Sequence, residues 1–323
     1  VYYSRYLRPT KDYMIGSLEF VVPALSKFPA PYNWVMQNKV MKRVFKQYVG
    51  MVDSPAICKH TLVKGLQERG VEFASVEKIN GMAAEQRAKS VIIVQDAFTS
   101  FFETQLVLDI IDLLNKLGFT VMVAPFMPNG KPLHVHGFMK AFDKAASKNA
   151  AMLHALDQTG VPLIGVDPSM TLTYRQEYTQ AVDHLPTVNL LQEWLATQQE
   201  VIATKASALP ARSYKLMAHC TEKTSAAASI KLWQQIYAAL GQTLEVQAVG
   251  CCGMSGTYGH ETENLATSTT IYDLSWRDVV NAPENQGKLV ATGYSCRSQV
   301  KRMDEQQILH PAQALLDMIR ANR

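Results

Sequence analysis

The chain has 323 residues, 47% of them hydrophobic and 19% charged, with a formal net charge of +4. This is the composition of a folded globular protein without a disordered tail, long enough for two domains of about 150 residues or one large one. The small charge excess, with no basic stretch interleaved with aromatics, gives no reason to expect nucleic acid, and no apolar run reaches the roughly 18–20 residues of a transmembrane segment.

In chain order, residues 1–55 read as a helical lead-in. The segments KDYMIGSLEFVVPALSKF and PYNWVMQNKVMKRVFKQYV carry apolar residues at helical spacing, divided near Pro29 and Pro31. From about residue 55 helices and strands alternate. A helix is expected over 56–69, ending at Gly70, then a short strand in VEFAS, a strand in SVIIVQD and a helix over FETQLVLDIIDLLNKLG closed by Gly118. A strand in FTVMVAPF, a helix over 138–158, a strand in VPLIGVDP and a polar helix over 187–204 complete the first half. After a linker containing Pro210 come strand YKLMAHC, helix AAASIKLWQQIYAALG, strand TLEVQAV, a helix near 260–274, strand KLVATGYS and terminal helices. Strands alternating with helices of this length predict an α/β fold with parallel sheets.

The halves repeat. A shift of 123 places Ala97 on Cys220, Leu117-Gly118 on Leu240-Gly241, and Met127-Pro128-Asn129-Gly130 on Gly250-Cys251-Cys252-Gly253. A shift of 126 then places Asp167-Pro168-Ser169-Met170 on Gly293-Tyr294-Ser295-Cys296. An offset recurring across strand, helix and loop indicates internal duplication. The first half has no thiol at any position where the second has one. The expected organisation is therefore a lead-in over 1–55, a degenerate α/β repeat over 56–205 and an intact repeat over 206–323.

Cys220, Cys251, Cys252 and Cys296 all fall at or just beyond the carboxyl ends of predicted strands, where open α/β sheets gather ligands. Adjacent strand residues point to opposite faces, so Cys251 and Cys252 serve one centre only if the backbone turns, which Gly253 permits. The chain is expected to turn there, with Cys220 preceding a helix that begins near Ser225. Helix N-termini, with Lys223, Arg297 and Lys301 nearby, would favour thiolates. Soft thiolates select zinc or iron–sulfur centres. No C-x2-C knuckle or C-x2-C-x2-C run is present, so the fold must gather ligands across spacings of 31 and 44. His219 and His260, beside the cysteines, are candidates for tuning them from behind. Cys58, in AICKHTLVKGL, reads as a core residue. His134 and His136, which follow Lys131 in KPLHVHG, read as surface loop residues with an anion or metal site as the alternative. The glycines at 250, 253, 256 and 259 match neither the dinucleotide fingerprint nor the P-loop. Five cysteines, an odd count without the dense spacing of a secreted disulfide scaffold, suit a reducing, cytoplasmic setting, and a Cys251–Cys252 disulfide would be strained. The start at Val1, without Met or leader, suggests a piece of a larger polypeptide.

The pattern Cys220–x30–Cys251-Cys252-Gly253–x42–Cys296, within CCGMSGTYGHE, resembles the cysteine-rich CCG domain over residues 88–310, as two copies. Such domains occur in heterodisulfide reductase B subunits, in glycerol-3-phosphate and lactate oxidation subunits, and in FAD-linked D-2-hydroxyacid dehydrogenases. The resemblance implies a [4Fe-4S]-type iron–sulfur cluster, with zinc as the alternative, held by Cys220, Cys251, Cys252 and Cys296. In the family the last strand commonly ends C-x-x-C, whereas Gly293 takes the first of those places here. It further implies an electron-transfer role beside FAD and ferredoxin-like domains upstream, acting on a D-2-hydroxyacid such as lactate or 2-hydroxyglutarate and passing electrons to an acceptor. A zinc-binding docking domain without redox role is the alternative. The setting implied is cytoplasmic, or peripheral to the inner face of the membrane, with no activity expected of this segment alone.

Overall fold

The computed structural model describes residues 6–205 and 210–321. Residues 1–5 of the aromatic start and 206–209 of the expected linker, which carry the 205/206 boundary, lie outside the described residues.

Two parallel sheets organise the chain. The first contains β1 (Ser90–Val94), β2 (Thr120–Val123), β3 (Leu163–Gly165) and β4 (Val188–Leu190) in the order β2-β1-β3-β4. The second contains β5 (Ser213–Met217), β6 (Thr243–Val246) and β7 (Leu289–Ala291) in the order β6-β5-β7. β5 and β6 lie 123 residues beyond β1 and β2 at both ends, and β7 lies 126 beyond β3. The registers follow: Ser90 faces Thr120 as Ser213 faces Thr243. The central strands are near-continuous apolar runs because helices cover both faces of each sheet; β1 is buried at every position.

One hydrophobic cluster joins the halves. Val91, Ile93, Ile110 and Leu114 share it with Leu216, Trp233 and Leu315. The terminal helix Pro311–Arg320 packs on the first-half helix Thr104–Lys116, and Arg320 meets Asp112 at 2.6 Å. The buried Arg297 guanidinium grips Glu103 and the carbonyls of Ala291 and Thr292.

The lead-in is helical, as its periodicity predicts, in short pieces: Thr10–Gly16, Leu18–Leu25, Pro29–Gln37, Lys39–Val44 and a π turn Phe45–Val49. It ties to both halves. Glu19 accepts hydrogen bonds from the Asn129 and Gly130 amides (3.2 and 2.7 Å), while the Val52 amide donates to the His260 carbonyl (2.7 Å). Three local expectations differ from the structure. The helix expected over 56–69 spans only Leu62–Glu68, because Asn33 captures the Ile57 backbone in two 2.8 Å hydrogen bonds and Thr61 caps the later start. VEFAS contributes a single bridge, Phe73 to Val123, rather than a strand. The polar helix over 187–204 begins instead with β4, which pairs Val188–Leu190 with β3 before the chain turns helical.

Glu19 carries a pH prediction. Burial raises its carboxyl from the usual 4.5 to about 7, against the two amides that favour the anion. A folded pKa above the unfolded one means the native state holds the extra proton, so stability is greatest below about pH 4.5 and declines as pH rises towards 7. Glu19→Gln is expected to flatten that slope by on the order of 3 kcal/mol between those limits, read from urea melts at several pH values.

Candidate metal centre

Each cysteine is delivered by a strand. Beyond β5, His219 caps the helix Cys220–Ser225, its Nδ1 accepting from the Thr221 amide at 3.2 Å. Cys220 is thus the first residue of this helix, which starts earlier than the position near Ser225 that its sequence suggests. A ring nitrogen that accepts at Nδ1 carries its proton on Nε2, which faces Ser295 Oγ at 3.0 Å. Burial keeps the imidazole pKa below its usual value, against the pull of Asp167 and Cys251.

Beyond β6 the chain enters the Cys251-Cys252-Gly253 turn. Gly253 has φ 83°, and a Cβ there would lie 2.2 Å from the Ser268 carbonyl oxygen. The turn is held from outside: Ser268 Oγ donates to the Gly253 carbonyl (2.8 Å), Trp276 Nε1 to the Gly250 carbonyl (3.1 Å), and the Gly250 amide to Ser275 Oγ (2.9 Å). The Gly253 amide points at Cys251 Sγ, 3.4 Å away.

Beyond β7, Cys296 lies in the first turn of the helix Tyr294–Asp304, whose Tyr294 amide donates to Asp167 of the first half at 2.7 Å. At Gly293 a Cβ would meet the His219 ring at 2.2 Å. The imidazole fills the space that a side chain at the missing cysteine position would need.

The four sulfurs meet in a chain. Cys220 contacts Cys251, Cys251 contacts Cys252, and Cys252 contacts Cys296. All are free thiols, Cys252 and Cys296 buried and the other two half-buried. Hydrogen bonds from Cys220 and then Cys252 hold the Cys251 thiol far below its usual pKa, helped by the Gly253 amide. The same bond drives Cys220 upward, as bonds to Cys251 and Cys296 do Cys252. Among the described residues no three His, Cys, Asp or Glu side chains converge on one point as ligands of a single ion would. The donor type is nonetheless that of a soft-metal or iron–sulfur site: four thiols linked in a chain at one sheet edge, two of them on a glycine-permitted turn.

The surrounding charges sort the sequence candidates. Lys223 Nζ donates to the Val249 carbonyl beside the turn; burial lowers its pKa, while Cys296 and Cys220 pull it upward. Arg297 is buried near Cys296 but committed to Glu103. Lys301 is exposed farther along the helix. His260 hydrogen-bonds the Val52 carbonyl at 3.1 Å and answers to Arg302 and Asp53, so it joins the lead-in to the second half. His136 sits 3.3 Å from Asp12, and His134 packs edge-on against Phe142. Cys58 is half-buried, its amide bonded to the Phe101 carbonyl.

The corresponding edge of the first half is filled differently. Gly130 repeats the turn at φ 87°, but its amide and that of Asn129 hold the Glu19 carboxylate. Asn129 is fully buried and bonds the Met170 carbonyl, and Asp167 caps the helix Pro168–Thr173. Sequence reasoning gave no role to Asp167, Ser268 or Glu19. Asp-Pro before a helix was a readable cap; the other two act through distant packing.

No family model matches the chain. The D-2-hydroxyglutarate dehydrogenase of Pseudomonas putida is 49% identical over 318 residues, covering 98% of this chain and 31% of that protein. The chain is similar to D-2-hydroxyglutarate dehydrogenases. That of Escherichia coli K12 is 38% identical over 324 residues, again 31% of its length. A component of the anaerobic glycerol-3-phosphate dehydrogenase of Escherichia coli K12 is 27% identical over 263 residues, 75% of this chain and 64% of that component. The chain thus spans about a third of the length of the dehydrogenases it resembles. No helix among the described residues is long and apolar enough to cross a membrane.

Proposed function

We propose that this chain is the electron-transfer segment of an FAD-linked oxidoreductase acting on a D-2-hydroxyacid, with 2-hydroxyglutarate the leading substrate. The observation that carries this reading is the contact of Cys220, Cys251, Cys252 and Cys296 at one sheet edge. Similarity to D-2-hydroxyglutarate dehydrogenases over nearly the whole chain supports the substrate class. The matching strand order and offsets support a duplicated CCG pair after the lead-in, with boundaries near 55 and 205 and only the second copy equipped with thiols.

Those four cysteines would hold a [4Fe-4S]-type cluster, which when bound accepts and releases single electrons. The chain's own residues then place and tune it. Gly253 turns the backbone so that two neighbouring thiols serve one centre. Lys223 and the Gly253 amide offset negative charge at the sulfurs. His219, neutral and hydrogen-bonded on both sides, supports the Cys220 and Cys296 helices. Flavin and ferredoxin-like domains elsewhere in the polypeptide would deliver the electrons, and a cytoplasmic acceptor would remove them.

The test is anaerobic addition of D-2-hydroxyglutarate to the full-length polypeptide, followed by electron paramagnetic resonance. A reduced-cluster signal lost in Cys296→Ser supports the reading; flavin reduction with no cluster signal to lose refutes it. Lys223→Met should lower the centre's midpoint potential by about 30–60 mV, because a cation favours the more negative reduced state. Lys223→Arg should leave it nearly unchanged in the same redox titration.

A further inference from the structure

We propose that the helical lead-in is a membrane-surface docking site whose occupant is an anionic phospholipid bilayer. Residues 20–52 contain five cations, Lys27, Lys39, Lys42, Arg43 and Lys46, and neither Asp nor Glu. All five are exposed, and among the described residues none lies within ion-pair distance of a carboxylate. The neighbouring acids are already engaged: Asp53 with Arg302 at 3.4 Å, Glu261 and Glu263 with Lys11 at 2.5 and 2.7 Å.

Large apolar side chains are interleaved with these cations. Phe28 is 75% exposed, Trp34 66%, Val40 64% and Tyr48 74%. Scattered singly such residues are ordinary, but this many on consecutive short helices calls for a partner. A groove of about 250 Å³ opens between these helices, with Val35, Met36 and Phe45 on its walls and Lys42, Arg43 and Lys46 around it.

The composition decides the class of partner. Protein interfaces are depleted in lysine and enriched in arginine, whereas four of these five cations are lysine. Aromatic residues beside a lysine-rich polar face, on helices too short to span, are the combination that lies in a bilayer interface. Anionic headgroups would match the charge left unpaired among the described residues, while long lysine stems keep the ammonium groups at headgroup level as the rings enter the acyl boundary.

The experiment is co-sedimentation of the full-length polypeptide with phosphatidylglycerol/phosphatidylcholine vesicles and with phosphatidylcholine alone, at low and high salt. Salt-sensitive binding to the anionic vesicles only is expected. The Lys39→Glu, Lys42→Glu, Lys46→Glu variant should bind at least about tenfold more weakly, and Phe28→Ser with Trp34→Ser should also weaken binding while circular dichroism is unchanged. Absence of binding at low salt, equal binding to both vesicles, or undiminished binding by the charge-reversed variant would each overturn the proposal. Failure here leaves the redox reading intact, since the thiol turn lies outside this face.

Discussion

If the four thiols hold a metal or cluster as proposed, replacing Cys251 by serine is expected to abolish that binding in the second half. Cys251 links two of the three thiol–thiol hydrogen bonds, and these hold its pKa well below the usual thiol value. A serine hydroxyl is far less acidic than a thiol and is a hard donor that soft metals bind poorly. The metal and the visible absorption that belong to this centre should be lost from anaerobically purified protein, as the difference from the unsubstituted protein. The melting temperature should drop by several degrees, since ligand-linked folding energy is lost. Cys58→Ser, away from the turn, should retain metal in full. Equal loss in the two variants would mean that Cys251 has no special place.

The second large effect is expected at Gly253. Alanine there meets two penalties: a left-handed backbone at φ 83° and a Cβ 2.2 Å from the Ser268 carbonyl oxygen. The first costs roughly 1–2 kcal/mol for an L-residue. The second forces the helix Leu265–Asp273 away from the turn it pins, for a total of about 3–4 kcal/mol in denaturant melts. Gly256, at φ 68° with nothing within 4 Å of its added Cβ, is the control. Gly256→Ala should show only the backbone part, about 1 kcal/mol, and keep metal. A Gly253→Ala protein as stable as Gly256→Ala would contradict the role given to this contact.

Much of the fold was legible because it is written in local signals. β1 and β2 are short apolar runs, β5 and β6 mix polar with apolar residues between turn signals, and helices such as Met139–Asp157 carry long periodic patterns. The offset of 123 could be read directly, since strand, Leu-Gly helix end and glycine turn recur together. Errors arose where a distant partner outweighed the local pattern. Asn33 keeps 54–60 extended, and β3 draws Val188–Leu190 into the sheet. The four cysteines were legible by type and position, but their chain of contacts depends on helix starts set by His219 and Asp167. That His219 takes up the space beside Gly293 is visible only in three dimensions, as is the seating of Glu19 in the turn of the cysteine-free half. The two halves keep the same glycine turn and present its amides to different acceptors, a Glu19 carboxyl oxygen in one and the Cys251 sulfur in the other.

The claim at the centre of this account is that the four thiols hold one iron–sulfur cluster. Quantifying iron, acid-labile sulfide and zinc in anaerobically purified full-length protein, alongside its visible spectrum, tests it most directly. Iron and sulfide in near-equal amounts with broad absorption near about 400 nm are expected, and Cys251→Ser should remove the share belonging to this centre while leaving the flavin and any ferredoxin-like cluster in place. One zinc per chain, lost in Cys251→Ser while iron, sulfide and the visible spectrum stay unchanged, would contradict it.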